Sequence, residues 1–291
     1  MSDSKKLKVL STTAQVGDLV AQVGGERVDA WVLIQGDLDP HSYELVKGDG
    51  EKFQRADQIF FSGLGLEHGA GVAQQLKGNP KALGVADAIR ELRPDEILFR
   101  GAAPDPHLWM DISLWKEGVG PIVAALSAKD PDGAAYYRER GEQLVLELTQ
   151  AHEALQKSLR EVPEEKRYLV TSHDAFHYFA RSYLAEPGEI DWRKRVAAPE
   201  GLAPDGQLGG RDIQKIIDFV RERSVAVIFP ETNVSRDSIK KICSAGKELQ
   251  IDIRICQEPL YGDSMSGLSY LEMMQRNGNV LKCNLQSTPT N

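Results

Sequence analysis

Residues 131–161 have the sequence PDGAAYYRERGEQLVLELTQAHEALQKSLRE, in which apolar side chains recur at steps of three and four residues. This period predicts one long amphipathic helix with charged residues on its opposite face. Pro131 is suited to the first turn of the helix, and Pro163 ends it. At about 1.5 Å per residue such a helix is roughly 45 Å long, which is enough to join two domains.

Strands alternate with helices on both sides of this long helix. Before it, the pattern predicts strands at 8–12, 28–34 and 58–61 and helices at 14–23, 51–55 and 66–76. After it, the pattern predicts strands at 167–171, 225–229 and 251–255 and helices at 174–183, 212–222 and 235–249. Such alternation is typical of parallel sheets covered by helices. We therefore predict an α/β fold of two lobes, each a mostly parallel sheet flanked by helices, joined by one long rigid helix. The N-terminal lobe is expected at 1–130, the connecting helix at 131–162 and the C-terminal lobe at 163–291.

Acidic residues outnumber basic ones, 43 to 35, and the formal net charge is −8. With no basic stripe along the chain, the composition argues against nucleic-acid binding. No apolar run approaches the length that a membrane-spanning helix needs. The first residues, MSDSKK, lead into a strand without the apolar segment of a secretory signal. We therefore expect either a cytosolic protein or an exported one whose signal has been removed.

All three cysteines, Cys243, Cys256 and Cys283, lie in the last fifth of the chain and lack CxxC spacing. This spacing argues against a zinc-thiolate site. Two alternatives stay open: one disulfide plus a free thiol, with three possible pairings, or reduced thiols as in a cytosolic protein.

The tripeptide Asp-Pro-His occurs twice, at 39–41 and 105–107, in a chain that has six histidines. Proline fixes its own φ and pushes the residue before it toward extended geometry, so each histidine follows a stiff turn. A stiff turn that presents an imidazole suits a metal ion, although Asp-Pro is also ordinary turn chemistry. Ligands of parallel sheets lie beyond the carboxyl ends of the strands, where both loops are expected. His41 and His107 are therefore candidate metal ligands.

Two further candidates lie in the second half of the chain. His173 stands between a predicted strand and a predicted helix, the same topological position as His41 and His107. Asp263 follows Gly262 in an irregular turn after the last predicted strand, and it either caps the next helix or supplies an oxygen ligand. Nothing in the local sequence pins the Asp263 loop, so we expect this loop to change conformation when metal leaves.

The other three histidines have simpler interpretations. His177 lies one helical turn after His173, and such a pair can bind metal, but packing against its aromatic neighbours is the simpler interpretation. We expect His68 to be exposed at the start of a helix and His152 to be a solvated residue of the long helix.

Four stretches carry a resemblance to a known family. They are DPHSYE at 39–44, DPHLWMD at 105–111, SHDAFHYF at 172–179 and GDSM at 262–265, and the long central helix matches as well. With these stretches in this order, the chain resembles the metal-specific solute-binding proteins of bacterial ABC importers, cluster A-I of the TroA-like superfamily. Members of this family carry zinc, manganese or iron. The resemblance covers nearly the whole chain.

The resemblance implies that His41, His107, His173 and Asp263 hold one divalent transition metal, Zn, Fe or Mn, as the transported ligand. It also implies a monomer without enzymatic activity that delivers the metal to the membrane permease of an ABC importer. Such a protein lies in the periplasm or on the extracytoplasmic face of a bacterial membrane, and its export signal would be absent from this sequence. Three imidazoles and one carboxylate favour zinc or ferrous iron over manganese.

The chain departs from the family pattern in three places. His177 lies where the family has glycine, and the connection at 186–210 is longer than usual. The histidine-rich loop of some zinc-binding members is missing.

A metal-dependent hydrolase that uses the same histidine cluster is the alternative function. Catalytic zinc keeps an open position for water, usually with three protein ligands and a nearby general base. Glu44 and Asp111 are the acids that could serve as that base. Four protein ligands would close the site, however, and both acids fit the orientation of ligand histidines better.

Overall fold

The computed structural model describes residues 6–204 and 209–286 and has the α/β architecture that the sequence predicts. Packing divides the chain into two units. The first unit comprises the chain up to His152 together with Ser264–Tyr270, and the second comprises Glu153–Asp263 and the chain from Leu271 onward. Because this division passes through the long helix, the predicted boundaries of a separate connecting segment at 131–162 stay a prediction.

A four-stranded parallel sheet forms the centre of the first unit. Its strands lie in the order β2 (Val28–Val32), β1 (Leu7–Ser11), β3 (Gln58–Phe61) and β4 (Ala82–Gly84). The helices around it are α1 (Ala14–Gly24), α2 (Asp49–Arg55), α3 (Ala70–Leu76) and α4 (Val85–Leu92). Beyond them lie the antiparallel pair β5 (Phe99–Arg100) and β6 (Ala103–Pro104) and helices α5 (Ile112–Trp115) and α6 (Val119–Lys129). Leu10 and Ile59 of the central strands pack on Phe53 and Val72 of the helices, because a parallel strand is apolar on both faces.

The second unit has shorter strands, all of them parallel. β7 (Leu169–Val170) pairs with β8 (Val196–Ala197), and β9 (Val227–Ile228) pairs with β10 (Arg254–Ile255). The N–H of Phe229 donates to the carbonyl of Val170 at 2.9 Å and joins the two pairs. The helices are α8 (His177–Phe179), α9 (Gly210–Arg223), α10 (Asp237–Glu248) and α11 (Tyr270–Gln286). β7 is shorter than predicted because the Thr171 hydroxyl donates to the carbonyl of His173 and starts a turn.

The predicted long helix is confirmed. It is α7 (Ala134–Arg160), 27 residues long, and a 3₁₀ turn at Pro131–Gly133 leads into it. The carboxylate of Asp130 accepts the N–H of Gly133 at 3.2 Å and caps this turn. The predicted apolar stripe is buried at Tyr137, Leu144, Leu148, Leu155, Leu159 and Val162. The burial of this stripe confirms the helical period that the sequence analysis used.

Two predicted helices start later than expected. The helix predicted at 66–76 begins at Ala70, because Gly63, Leu64 and Gly65 have positive φ values of 91°, 52° and 82° and form a left-handed turn. Buried Glu67 stabilises this turn by accepting the N–H groups of residues 62 and 63.

The helix predicted at 174–183 begins at His177 and continues as a π-helical turn over Ala180–Leu184. Its predicted first turn is not helical, because the N–H of Asp174 donates to the carbonyl of Gly201 at 3.1 Å. That bond holds the segment against another part of the second unit.

The structure also bears on the predictions about membrane-spanning helices and about the cysteines. No helix within the described ranges is long and apolar enough to cross a bilayer. Cys243 is a half-buried free thiol and Cys256 a buried one, in agreement with the reduced alternative. Burial raises the pKa of the Cys256 thiol, which lowers its reactivity.

Candidate metal centre

His41 and His107 lie together in the first unit. Their Nε2 atoms are 3.3 Å apart, their ring centroids are 5.3 Å apart, and both side chains are buried. Two imidazole nitrogens at this distance can share one proton, or both can direct their lone pairs at one cation. The two histidines of the Asp-Pro-His repeat are therefore placed to act as a pair.

The aspartate of each Asp-Pro-His tripeptide holds its histidine. Asp39 Oδ1 accepts the N–H of His41 at 2.9 Å, and Asp105 Oδ1 accepts the N–H of His107 at 3.0 Å. Each motif is therefore an Asx-turn, in which a carboxylate takes the place of a backbone acceptor. The stiffness of each loop therefore comes from the aspartate as well as from the proline.

Asp105 also fixes the ring of His107. Its Oδ1 atom lies 2.7 Å from Nδ1 of that ring, and both side chains are buried. A carboxylate at Nδ1 favours the tautomer that carries its proton there. Nε2 of His107 then keeps its lone pair for a metal.

The two acids that a hydrolase could use as base are each engaged at the start of a helix. Glu44 accepts the N–H groups of Ala70 and Gly71 at 3.0 and 3.4 Å, at the start of α3. Asp111 accepts the N–H of Ser113 at 2.9 Å, at the start of α5. Carboxylates in these positions satisfy helix N–H groups that otherwise lack an intrahelical acceptor. Both acids therefore have a structural role.

The remaining histidines of the first unit have different surroundings. His68 is exposed, as predicted, and its ring centroid lies 5.6 Å from that of His41. His152 is half-buried, and its Nδ1 atom lies 3.8 Å from Asp111 Oδ1. The expectation of a solvated His152 is wrong because its ring lies against that carboxylate.

His173 and Asp263 lie together in the second unit. His173 Nε2 is 3.2 Å from Asp263 Oδ2, and both side chains are buried. The Nδ2 group of Asn233 donates to the same Oδ2 atom at 2.9 Å. The alternative in which Asp263 caps the next helix is wrong, because α11 begins only at Tyr270.

Glu231 is a site residue that the sequence analysis missed. Its Oε1 atom accepts the N–H groups of Ser172 and His173, both at 2.9 Å, and its Oε2 atom lies 2.8 Å from His173 Nδ1. This contact repeats the one that Asp105 makes with His107, and it leaves Nε2 of His173 for a metal. Glu231 closely follows β9, so the rule that ligands lie beyond strand ends could have found it.

Charge raises the pKa of His173. Burial by itself lowers the pKa of this imidazole. The carboxylates of Glu231 and Asp263 outweigh burial and raise the pKa well above its ordinary value. A proton therefore competes more strongly with a metal for this imidazole than for an ordinary histidine.

Gly262 leaves room for Glu231. A Cβ atom at position 262 would overlap Oε2 of that carboxylate. The lack of space beside Glu231 is a stronger reason for glycine at this position than the irregular turn that the sequence predicts. A side chain here would displace the group that orients His173.

His177 packs edge-on against Trp192, with ring centroids 6.2 Å apart. Trp192 belongs to the long connection at 186–210, of which residues 205–208 lie outside the described ranges. This contact agrees with the packing interpretation of His177.

Comparison with known proteins identifies the family. Residues 9–283 match the family described as zinc-uptake complex component A, periplasmic. Metal-binding protein YtgA of Chlamydia pneumoniae is 40% identical over 260 residues, which cover 88% of this chain and 79% of the relative. Manganese-binding lipoprotein MntA of Bacillus subtilis is 32% identical over 268 residues, which cover 91% of this chain and 83% of the relative.

A solved structure has the same fold. Fe(III)-bound YtgA from Chlamydia trachomatis has a TM-score of 0.92 and 35% sequence identity, and the match covers 98% of this chain and 100% of that one. Both relatives are named as metal-binding proteins, and the family is named for zinc uptake. Because the family match spans nearly its whole length, the chain belongs to the family of periplasmic zinc-uptake component A, the metal-binding substrate-binding proteins of ABC importers.

Proposed function

We propose that this chain captures one divalent transition-metal ion with His41, His107, His173 and Asp263 and hands it to the membrane permease of an ABC importer. The observation that carries this proposal is a buried pair of ligand side chains in each unit. In both pairs a carboxylate lies at Nδ1 of a histidine, so Nε2 is the atom left for the metal. Two histidines from the first unit and one histidine and one aspartate from the second give four ligands.

The ligand set favours zinc or ferrous iron over manganese. Imidazole suits zinc and iron, whereas manganese prefers oxygen ligands. The relatives are named for manganese and for Fe(III), and the family is named for zinc uptake. We propose zinc or ferrous iron as the cargo of this chain because three of its four ligands are imidazoles.

The same ligand set argues against catalysis. Four protein ligands fill a tetrahedral zinc site, whereas catalytic zinc keeps one position for water. Glu44 and Asp111 are engaged at the starts of α3 and α5 and are not placed as bases. We therefore propose that the chain has no hydrolase activity. A panel of phosphoester, ester and amide substrates tests this, and turnover that requires His107 would contradict it.

The family supports a proposal for where the chain acts. We propose that the chain acts as a monomer outside the cytoplasm, since its relatives are periplasmic proteins or lipoproteins. The acidic net charge of −8 gives no support to nucleic acid as a partner.

Metal titration of histidine variants tests the ligand assignment. His107→Ala removes one ligand from the first unit and His173→Ala one from the second, and each is expected to weaken zinc binding by at least about a hundredfold. His152→Ala is the matched control, because it removes a half-buried histidine of the first unit that is outside the proposed set. Calorimetric titration should find one zinc per chain in the wild type and in this control. Equal binding by His107→Ala and His152→Ala would refute the assignment.

A further inference from the structure

Residues Ser264–Tyr270, which we call the strap, pack with the first unit. In sequence the strap lies between Asp263 and Leu271, which both belong to the second unit. The peptide bond between Asp263 and Ser264 therefore joins a proposed metal ligand to the strap. Whatever holds the strap also restricts where Asp263 can be.

The loop that carries His41 holds one end of the strap, and the loop that carries His107 holds the other. At the start of the strap, the hydroxyl of Ser264 donates to Asp37 Oδ1 at 2.7 Å, and the hydroxyl of Ser266 donates to the same oxygen. At its end, the hydroxyl of Tyr270 donates to the carbonyl of Trp109 at 2.6 Å. Asp37 lies four residues before His41, and Trp109 lies two residues after His107. The sequence gives no sign of these contacts, because Asp37 and Ser264 are 227 residues apart.

The backbone of the strap needs this support. Ser266 has a φ of 46°, in the left-handed region that residues other than glycine rarely adopt, and Gly267 follows with a φ of 82°. A serine held in this region persists only when its surroundings fix it. The bond from the Ser266 hydroxyl to Asp37 is such a fixed contact.

We propose that Asp37 is a positioning residue for metal retention: by holding Ser264 and Ser266, it keeps Asp263 in place as the fourth ligand. This inference rests on the proposed function. Asp37 acts through the strap and does not itself bind the metal. Loss of its two hydrogen bonds frees the start of the strap, and Asp263 then leaves the metal more often. The expected consequence is faster metal release with little change in capture.

The expected change in koff follows from the loss of two hydrogen bonds to an exposed carboxylate. Asp37 is exposed, so water replaces part of what each bond contributes. Loss of both bonds is expected to raise koff roughly five- to tenfold, while kon stays within about twofold. A general structural role would not separate these two rate constants.

Rapid mixing of the zinc-loaded protein with a fluorescent zinc chelator measures koff. Asp37→Asn removes the charge and weakens both bonds, whereas the double variant Ser264→Ala/Ser266→Ala removes both bonds and keeps the charge. We expect the double variant to release zinc roughly five- to tenfold faster than the wild type. Asp37→Asn should release it at least about twofold faster, because its amide oxygen still accepts both bonds more weakly, and the triple variant should be no faster than the double variant. Asp95→Asn is the matched control, because it removes the same charge from an exposed site of the first unit and should leave koff unchanged.

Two results would overturn the inference. If Asp37→Asn accelerates release and the double serine variant does not, the charge of Asp37 acts on the metal and its position does not matter. If neither variant accelerates release, the strap does not govern retention. Should the double variant not fold, Ser266→Ala alone changes one exposed side chain and must still raise koff by about twofold or more for the inference to stand. Failure of the wild type to bind zinc at all would refute the proposed function, and this inference with it.

Discussion

Glu231 holds His173 from both ends of its carboxylate. Oε1 accepts the backbone N–H of His173 at 2.9 Å, and Oε2 lies 2.8 Å from Nδ1 of the ring. Backbone and ring are therefore positioned by one side chain, and the ring nitrogen that faces Asp263 is Nε2. This relationship fixes which atom of the histidine can bind metal.

Glu231→Gln tests this role. The substitution keeps the size of the side chain, removes its charge and replaces the carboxylate at Nδ1 of His173 by an amide. We expect zinc affinity to fall by about tenfold to a hundredfold, the range typical of groups that orient a ligand histidine. Glu165→Gln, at an exposed position of the second unit, is the matched control for calorimetric titration. An unchanged affinity in Glu231→Gln would show that His173 needs no orienting carboxylate.

The two aspartates of the Asp-Pro-His repeats should differ in importance. Asp39 accepts the backbone N–H of His41, whereas Asp105 accepts the backbone N–H of His107 and also contacts its ring nitrogen. Asp105→Ala is therefore expected to weaken zinc binding by about tenfold more than Asp39→Ala. Both variants are measured by competition with a chelator of known affinity. Equal effects would mean that only the turn matters and that the ring contact contributes nothing.

Lowering the pH should weaken zinc binding and stabilise the fold of the metal-free protein. The pKa of His173 is raised in the folded metal-free protein, so this histidine stabilises the fold below its ordinary pKa of about 6.5. That stabilisation is lost as pH rises through the higher folded pKa. Metal binding requires the proton to leave, so zinc affinity decreases as pH falls, starting above pH 6.5 or so.

Thermal unfolding in the presence of a chelator and zinc titration over the same pH range measure both effects. The Tm of the metal-free wild type should decrease more on raising pH from about 6.5 than the Tm of His173→Gln does. A zinc affinity that stays constant from neutral pH down to about pH 5 would contradict a site dominated by histidine.

Asp130 should matter for stability and not for metal. It accepts bonds from the guanidinium of Arg27 at 2.8 and 2.9 Å and from the hydroxyl of Tyr137 at 2.7 Å, next to the start of α7. Burial, together with Asp130, raises the pKa of Tyr137 to about 12. Asp130→Ala is expected to lower the free energy of unfolding by roughly 2 kcal/mol.

Denaturation in urea measures the effect of Asp130→Ala, and zinc affinity of the folded variant is the control. We expect that affinity to stay within about twofold of the wild type. If Asp130→Ala binds zinc much more weakly than the wild type while it is fully folded, the start of α7 is coupled to the metal ligands.

Local rules were sufficient for part of this protein. Apolar spacing predicted α7, and the strand-end rule pointed to His41, His107 and His173, because both depend on residues close in sequence. Charge contacts between distant segments were not predictable in this way. Glu231 lies 58 residues from His173, and its role depends on how two strand ends meet.

The Asp263 loop shows the same limit. The sequence contains glycine and serines around Asp263, and the expectation that nothing pins this loop considered local residues only. The strap is in fact held by Asp37 and by the carbonyl of Trp109. A glycine-rich and serine-rich stretch can therefore be well fixed when its hydroxyls find distant acceptors. Such acceptors are visible only in the folded chain.

X-ray absorption at the zinc edge of the loaded wild-type protein tests the central claim most directly. The four proposed ligands predict three imidazole nitrogens and carboxylate oxygen at about 2.0–2.2 Å, with no sulfur. His173→Ala should lose one imidazole from this shell. A sulfur neighbour at about 2.3 Å, or fewer than three imidazoles in the wild type, would contradict the account.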